Sequence, residues 1–355
     1  MAEVVVIGAG PSGLTAAQAL HRAGYSVEVV DKSRGLGGRM ATRRIGKTAV
    51  DHGCRYLQPF TDVEPSPIVD LVKAGVLCLW QPERFELGAT GKLAAAPIDT
   101  GYTAPHYSAP QGMSAIAKAM AQGLTIRRHW RATGLTPQPP GWRIEGEGLD
   151  PSGEPQAQAL EAKAVVIAIP APQAAAILKP AAQNRAALQE LVHRLQPVDF
   201  EAVITVMAGY GLGATAPLLG QKGTAGWMVT GKNHPTLRWV GLDSSKRTDP
   251  EEAVVVCHST PAFAARALEL TDLEPAGNTL LAEATSLGAW VGSPAWMQVH
   301  RWRYGFVKRD LGSPILTSPS LPTLVGCGDW CSGGNVEGAI VSGRQAAAAI
   351  AQALG

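Results

Sequence analysis

The chain has 355 residues, 46% of them hydrophobic and 17% charged, with 31 basic against 29 acidic side chains. That length allows two lobes around one ligand, and a net charge of +2 gives no call for nucleic acid or an anionic membrane as partner. No apolar run reaches the length of a membrane span, no secretory segment precedes the first apolar run, and the five cysteines show neither C-x-x-C nor a metal-ligand spacing with histidine. The expectation is a cytoplasmic protein with reduced thiols and no metal.

Val4–Ile7 is a continuous apolar, β-branched run and predicts a strand buried on both faces. Gly8, Gly10 and Gly13 follow in G-x-G-x-x-G spacing, with Pro11 and Ser12 between them, and Leu14–Ala23 predicts a helix. Gly8 suits a tight turn, Gly10 leaves room for a pyrophosphate, and Gly13 allows the helix to approach the sheet. The helix N-terminus then offers N–H groups and partial positive charge to phosphates. A second strand, Ser26–Val30, ends on Asp31 with Lys32 beside it. An acid about 20 residues beyond the last glycine is placed to accept hydrogen bonds from a ribose. Strand, glycines, helix and acid together predict a dinucleotide site.

Arg34-Gly35-Leu36-Gly37-Gly38-Arg39 comes next. It is either a flexible basic loop or a second backbone pass along a pyrophosphate, with arginines as countercharge. The two glycine clusters together resemble the two-dinucleotide-binding-domain flavoproteins, the broad group holding amine oxidases and carotenoid desaturases. That resemblance implies FAD rather than NAD. Arg39 then either aids the pyrophosphate or approaches the flavin ring, and Met40 either borders the flavin or fills the core.

Asp51–Tyr56 reads as a short strand with a turn glycine, and 61–110 as a Pro- and Gly-rich passage with one short helix, Ile68–Ala74. Met113–Gln122 predicts a helix, Leu124–Arg127 a strand, 130–163 an antiparallel meander, and Ala164–Ile169 a buried parallel strand. Residues 173–195 read as helical. Strands are expected at Ala202–Ala208, Gly226–Val229, Leu237–Leu242 and Ala253–Cys257, and helices at Pro261–Glu269 and Asn278–Leu287. Leu321–Gly326 is a last strand, and the Ala-rich Val336–Leu354 closes the chain as a helix. The expected fold is α/β. A Rossmann-type FAD-binding domain (1–60, 110–170 and 321–355) carries an inserted mixed α+β substrate domain (61–109 and 171–320).

The run Gly333–Ala339 has little side chain to wall off its backbone N–H groups, so Glu337, Gly338 and Ala339 are candidate contacts for a flavin carbonyl. Asp329 either holds a ribityl hydroxyl or caps a turn or helix.

Several motifs narrow the resemblance. They are Ser33–Met40, Asp51-x-Gly53-x-x-Tyr56, Ala109–Met113, Arg238–Arg247, Val256–Thr260, His300–Tyr304, and Gly328-Asp329 with Glu337-Gly338-Ala339. Nearly end to end, the chain resembles renalase and its bacterial relatives. That resemblance implies a p-hydroxybenzoate hydroxylase-like fold with non-covalent FAD. It also implies oxidation of the 2- or 6-dihydro isomers of NAD(P)H by O2, with hydrogen peroxide released. Tyr56 and Trp302 become candidate pocket walls. His258 ends an alternating Val254/Val256/His258 face, so it either meets the substrate or is satisfied within the sheet. The family commonly reads D-x-G-A-Q-Y, whereas Cys54 and Arg55 stand here; Arg55 either favours a more anionic substrate or points away.

Hydride transfer from such a ring needs no nucleophile and no base, which predicts an apolar, aromatic pocket with few titrating groups. Two other classes compete: an FAD-dependent amine oxidase, and a flavin-binding protein without turnover.

Overall fold

Two seven-stranded sheets organise the molecule. The computed structural model describes residues 2–59, 67–96, 104–150, 152–211, 226–331 and 333–355. Of the Pro- and Gly-rich passage expected at 61–110, residues 61–66 and 97–103 lie outside the described residues.

The first sheet runs Arg131–Gln138, Gly141–Leu149, Pro155–Ile167, Ala2–Ile7, Val27–Val30, Thr125–Arg127, with Leu324–Gly326 on the far half of Pro155–Ile167. Ala2–Ile7 pairs in parallel with Val27–Val30 and with Pro155–Ile167, so it is central. Its alternation explains the unbroken apolar run. Val4 and Val6 pack under the helices Pro11–Arg22, Ser114–Met120 and Val336–Leu354, while Val5 and Ile7 pack under Ala171–Ala182 and Ala186–Leu195. Both faces are covered, so neither tolerates polar residues.

The second sheet runs Trp296–Arg309, Asp199–Tyr210, Ala253–Ser259, Leu237–Leu242, Trp227–Lys232, Glu83–Gly88, Leu93–Ala95. It is antiparallel except where Trp227–Lys232 meets Glu83–Gly88. One face carries Val206, Val229, Val240, Val255 and Cys257 under the helices Pro261–Ala267 and Glu274–Ala284. The opposite face carries Met207, Met228, Trp239, Val254 and Val256, with Val50, Tyr56 and Trp80 packed onto it from outside the sheet.

Several readings differ from expectation, and in 61–110 the short helix is joined by four strands, Cys78–Trp80, Glu83–Gly88, Leu93–Ala95 and His106–Ser108, which the Pro- and Gly-rich composition hides. Residues 173–195 form two helices, because Arg185 is extended (φ −141°, ψ 103°) and interrupts the helical run. The strand expected at Ala164–Ile169 begins at Pro155, so one strand of 13 residues belongs both to the meander and to the parallel sheet. The strand at Asp51 ends there; its partner is Thr42–Ile45, and residues 52–56 leave the hairpin as a loop. The 14-residue strand Trp296–Arg309 is longer than its sequence suggests. As an edge strand it is partly buried on both faces, so it shows no clean alternation.

Candidate cofactor and substrate site

The N-terminal glycine loop is built by close approach of backbone. Gly8 adopts φ +113°, closed to ordinary side chains, and a Cβ on Gly13 would lie 2.0 Å from the Gly8 carbonyl oxygen. Pro11 opens the helix, Ser12 is buried behind it, and Lys32 is exposed. A Cβ on Gly10 would meet no protein atom within 4 Å. That is the bare cradle a pyrophosphate needs. Asp31 accepts from the Ala9 N–H through Oδ2 (2.7 Å) and from the Ser33 N–H through Oδ1 (2.7 Å). Each oxygen keeps a second lone pair, so a ribose acceptor role remains compatible with this bracing. The second glycine cluster docks on the first: Gly37 N–H donates to the Ala9 carbonyl (2.9 Å), and Gly38 stands beside Gly10. Met40 is fully buried in the core beneath.

Arg39 and Asp329 were separate candidates from opposite ends of the chain, and the structure joins them in a 2.6 Å ion pair. The same guanidinium lies 5.8 Å from the centroid of Phe200 on the second sheet. It therefore stands where the two sheets meet. The cap of the final helix is Asn335, not Asp329: Asn335 Oδ1 accepts from Gly338 N–H (2.7 Å), and Ala339 N–H donates to the Asn335 carbonyl (3.0 Å). Two of the N–H groups expected to be free are thus engaged by the helix itself. Glu337 is buried in the first turn.

Tyr56, His258 and Trp302 gather on the outer face of the second sheet. His258 pairs with Thr205 on one side and Trp239 on the other, while Trp302 pairs with Val203 two residues along the same strand as Thr205. Trp302 Nε1 donates to the His52 carbonyl (2.9 Å), and its ring stacks on His52 (5.3 Å) and meets His300 edge-on (4.3 Å). Tyr56 packs edge-on against His106 (4.4 Å) and near Trp80 (5.9 Å). The cluster is rich in rings and is not an apolar surface with few titrating groups: His52, His106, His258 and His300 stand in it, and Arg55 lies over Tyr56, Trp239 and Phe306.

Burial sets the charge of the rest. It pushes His52 down to about 4, helped by His300 and Arg43; it does the same to His106, helped by Arg84 and Arg55, and to His300, helped by Arg43 and Arg301. Burial, with Arg55 and Lys246, takes His258 well below its usual value. All four are neutral imidazoles at pH 7. Cys54 is raised to about 11 by burial and stays a thiol. Buried Thr205 Oγ1, Trp239 Nε1 and both His258 ring nitrogens have no hydrogen-bond partner among the described residues.

Beneath this face is an ion network that sequence reasoning did not isolate. Arg247 bonds Asp51 and Asp243 at 2.8 Å each, and Lys246 bonds Asp243 at 2.6 Å and lies 3.6 Å from Asp51. Thr42 Oγ1 and Met113 N–H complete Asp51. Two acids and two bases cancel, and the network ties the segment after Leu237–Leu242 to the hairpin strand Thr48–Asp51 and to the start of Ser114–Met120. Its only sequence signal was the Asp-x-x-Lys-Arg spacing from Asp243.

Among the described residues no three His, Cys, Asp or Glu side chains group to hold a metal, and no helix is long and apolar enough to cross a membrane.

Comparison with known proteins bears on this geometry. Residues 6–69 match the NAD(P)-binding Rossmann-like domain, and residues 69–351 match the flavin containing amine oxidoreductases. A stretch of 42 residues is 55% identical to lysine-specific histone demethylase 1 homolog 3 of Arabidopsis thaliana; it covers 12% of this chain and 3% of that protein. A triple mutant of putrescine oxidase redesigned for cofactor binding superposes with TM-score 0.74 at 17% identity, covering 99% of each chain. Cyclohexylamine oxidase from Brevibacterium oxydans IH-35A gives 0.70 at 16%, again covering 99% of each. At such identity these likenesses show the fold.

Proposed function

This chain belongs to the flavin containing amine oxidoreductases, with FAD as cofactor. From that premise we propose that it oxidises 2- or 6-dihydro isomers of NAD(P)H to NAD(P)+, as the renalases it resembles do. The balance is dihydronicotinamide plus O2 plus a proton giving the aromatic pyridinium and H2O2. When bound, FAD would supply the two-electron sink for the hydride of the substrate ring and the link by which those electrons reach dioxygen.

The residues assigned to hold it are Gly8, Gly10, Pro11, Ser12, Gly13, Asp31, Lys32 and Gly38 for the dinucleotide portion. Arg39, Met40, Asp329, Glu337, Gly338 and Ala339 are assigned to the flavin end. In this reading 1–60, 110–170 and 321–355 form the cofactor domain, and 61–109 and 171–320 form the substrate domain. Tyr56, His258 and Trp302 orient a flat ring and exclude water. In this reading the chain works in a reducing cytoplasmic setting, where its five cysteines stay thiols.

One observation carries the substrate assignment. The aromatic face holds its histidines neutral and places a guanidinium, Arg55, among the rings. That environment repels an ammonium and suits a neutral ring on a negatively charged nucleotide. A second reading, amine oxidation, is favoured by the family and by the fold shared with putrescine and cyclohexylamine oxidases.

Anaerobic mixing separates the readings. The purified holoenzyme is combined with 2-dihydro- and 6-dihydro-NAD(P), with NADH and with a simple amine, and loss of the oxidised flavin band is followed. The proposal expects bleaching by one dihydro isomer with NAD(P)+ formed. Bleaching by the amine alone overturns it in favour of the second reading. No bleaching by any of them identifies a flavin-binding protein without this turnover.

A further inference from the structure

Arg55 is a cation without a counterion. Its guanidinium carbon lies 5.2 Å from the centroid of Trp239, 5.5 Å from Tyr56 and 5.8 Å from Phe306. None of its N–H donors has an acceptor, and no carboxylate pairs with it, among the described residues. The neighbouring charges are already matched. Arg238, 4.2 Å over the same Phe306 ring, bonds Glu201 at 2.6 Å, and Lys246 is closed off by Asp243 at 2.6 Å.

A guanidinium cannot shed its proton to escape such a setting. The side chain keeps partial access to solvent, yet packing among the rings disfavours its charged form, Arg238 adds to that, and three π faces return only part of the hydration it loses. Next to the Trp239 end of this cage runs the row Thr205, His258, Trp239, whose buried polar atoms also lack partners. A partly exposed cation beside a row of buried, unmatched polar groups is open to an incoming molecule. A bound anion would supply the missing charge.

We propose that Arg55 anchors an oxyanion subsite in the substrate site. The guanidinium takes a carboxylate or phosphate oxygen pair of the incoming molecule, and Tyr56, Trp239 and Phe306 fix the plane in which it does so. Arg55 is then a specificity-determining residue: it selects substrates that carry negative charge at a set distance from the reacting ring. This rests on the reading above that a nicotinamide-type ring enters here.

The test uses the holoenzyme and isothermal calorimetry at low salt, with two ligand pairs. Nicotinate against nicotinamide isolates a ring carboxylate; nicotinamide mononucleotide against nicotinamide riboside isolates a phosphate. In at least one pair the anionic member is expected to bind about 10- to 100-fold tighter, as a charge-assisted bond implies, and raised salt narrows the gap. Arg55→Met closes the gap, and Arg55→Lys keeps part of it. The pair that shows the gap names the source of the anion. Equal binding within both pairs by the wild type, or an unchanged gap in Arg55→Met, overturns the subsite. If Arg55→Met does not fold, the wild-type pairs and Arg55→Lys decide. Turnover is scored separately. Discrimination without dihydronicotinamide oxidation refutes the substrate reading alone, and oxidation without discrimination refutes the subsite alone.

Discussion

The N-terminal glycine loops and the aromatic face of the second sheet are both recognition surfaces, made in opposite ways. The loops are backbone against backbone: the Gly8 turn, the Gly13 contact and the Gly37–Ala9 bond lie within the first 40 residues. The face is side chain against side chain, assembled from His52, Tyr56, Trp80, Trp239, His258 and Trp302 across most of the chain. They also treat charge differently. At the loop end Arg39 meets Asp329, whereas Arg55 at the face meets rings. A backbone cradle serves a constant group such as a pyrophosphate. A side-chain face with an uncompensated charge distinguishes one substrate from another.

The largest expected effect breaks the backbone side and separates two glycines that look alike in sequence. Gly13→Val drives side chain into the Gly8 carbonyl and should cost roughly 3 kcal/mol or more. Little folded, flavin-bearing protein should be recovered. Gly10→Ala meets no protein atom and its backbone is extended, so the protein should fold with a near-normal unfolding midpoint and still lose flavin on gel filtration. Equal folding defects in the two variants would show that Gly10, too, serves packing rather than a ligand.

The next effect tests the ion network that supports the face. Asp51→Asn removes one charge from a buried set of four and leaves Lys246 and Arg247 over-supplied, for a loss of about 3–5 kcal/mol in urea unfolding at pH 7. The two regions also differ in acid. Burial raises the Asp51 carboxyl, but Arg247, Lys246 and the Met113 N–H outweigh it and hold it below the usual range. The unfolded chain therefore takes the proton first. The Asp51 contribution is intact above an unfolded value of about 3.9 and is lost as pH falls through the folded value. The histidines of the face are depressed from 6.5 to about 4, so their contribution is complete above pH 6.5 and drains between there and pH 4. Urea midpoints against pH should fall in two stages, and Asp51→Asn should flatten only the lower one.

The contrast also explains what could be read in advance. The turn at Gly8, the contact at Gly13 and the acid at Asp31 depend on local spacing, and local spacing is what a sequence displays. The alternation at Val254, Val256 and His258 placed them on one face because strand period is local as well. Nothing local reports that Asp51 and Arg247 share a bond, or that Arg55 lies over Trp239. Those contacts depend on the register of the second sheet and on where a hairpin lands upon it. The edge strand Trp296–Arg309 was only partly visible for a related reason: half-burial on both faces erases the pattern.

The smallest effect sharpens the comparison at the one place where backbone and side chain compete for a donor. Asn335 caps the final helix by taking the Gly338 N–H, a group also assigned to the cofactor. Asn335→Ala should cost the apoprotein about 1 kcal/mol, the usual worth of such a cap. It also releases that N–H toward the flavin end. If Gly338 donates to the cofactor, bound FAD satisfies the freed group and the holoprotein loses measurably less than the apoprotein. Equal losses in thermal unfolding with and without FAD would assign Gly338 to the helix alone. The cofactor contacts at this end would then be left to side chains such as Arg39, which would make the flavin end, like the substrate face, a site built of side chains.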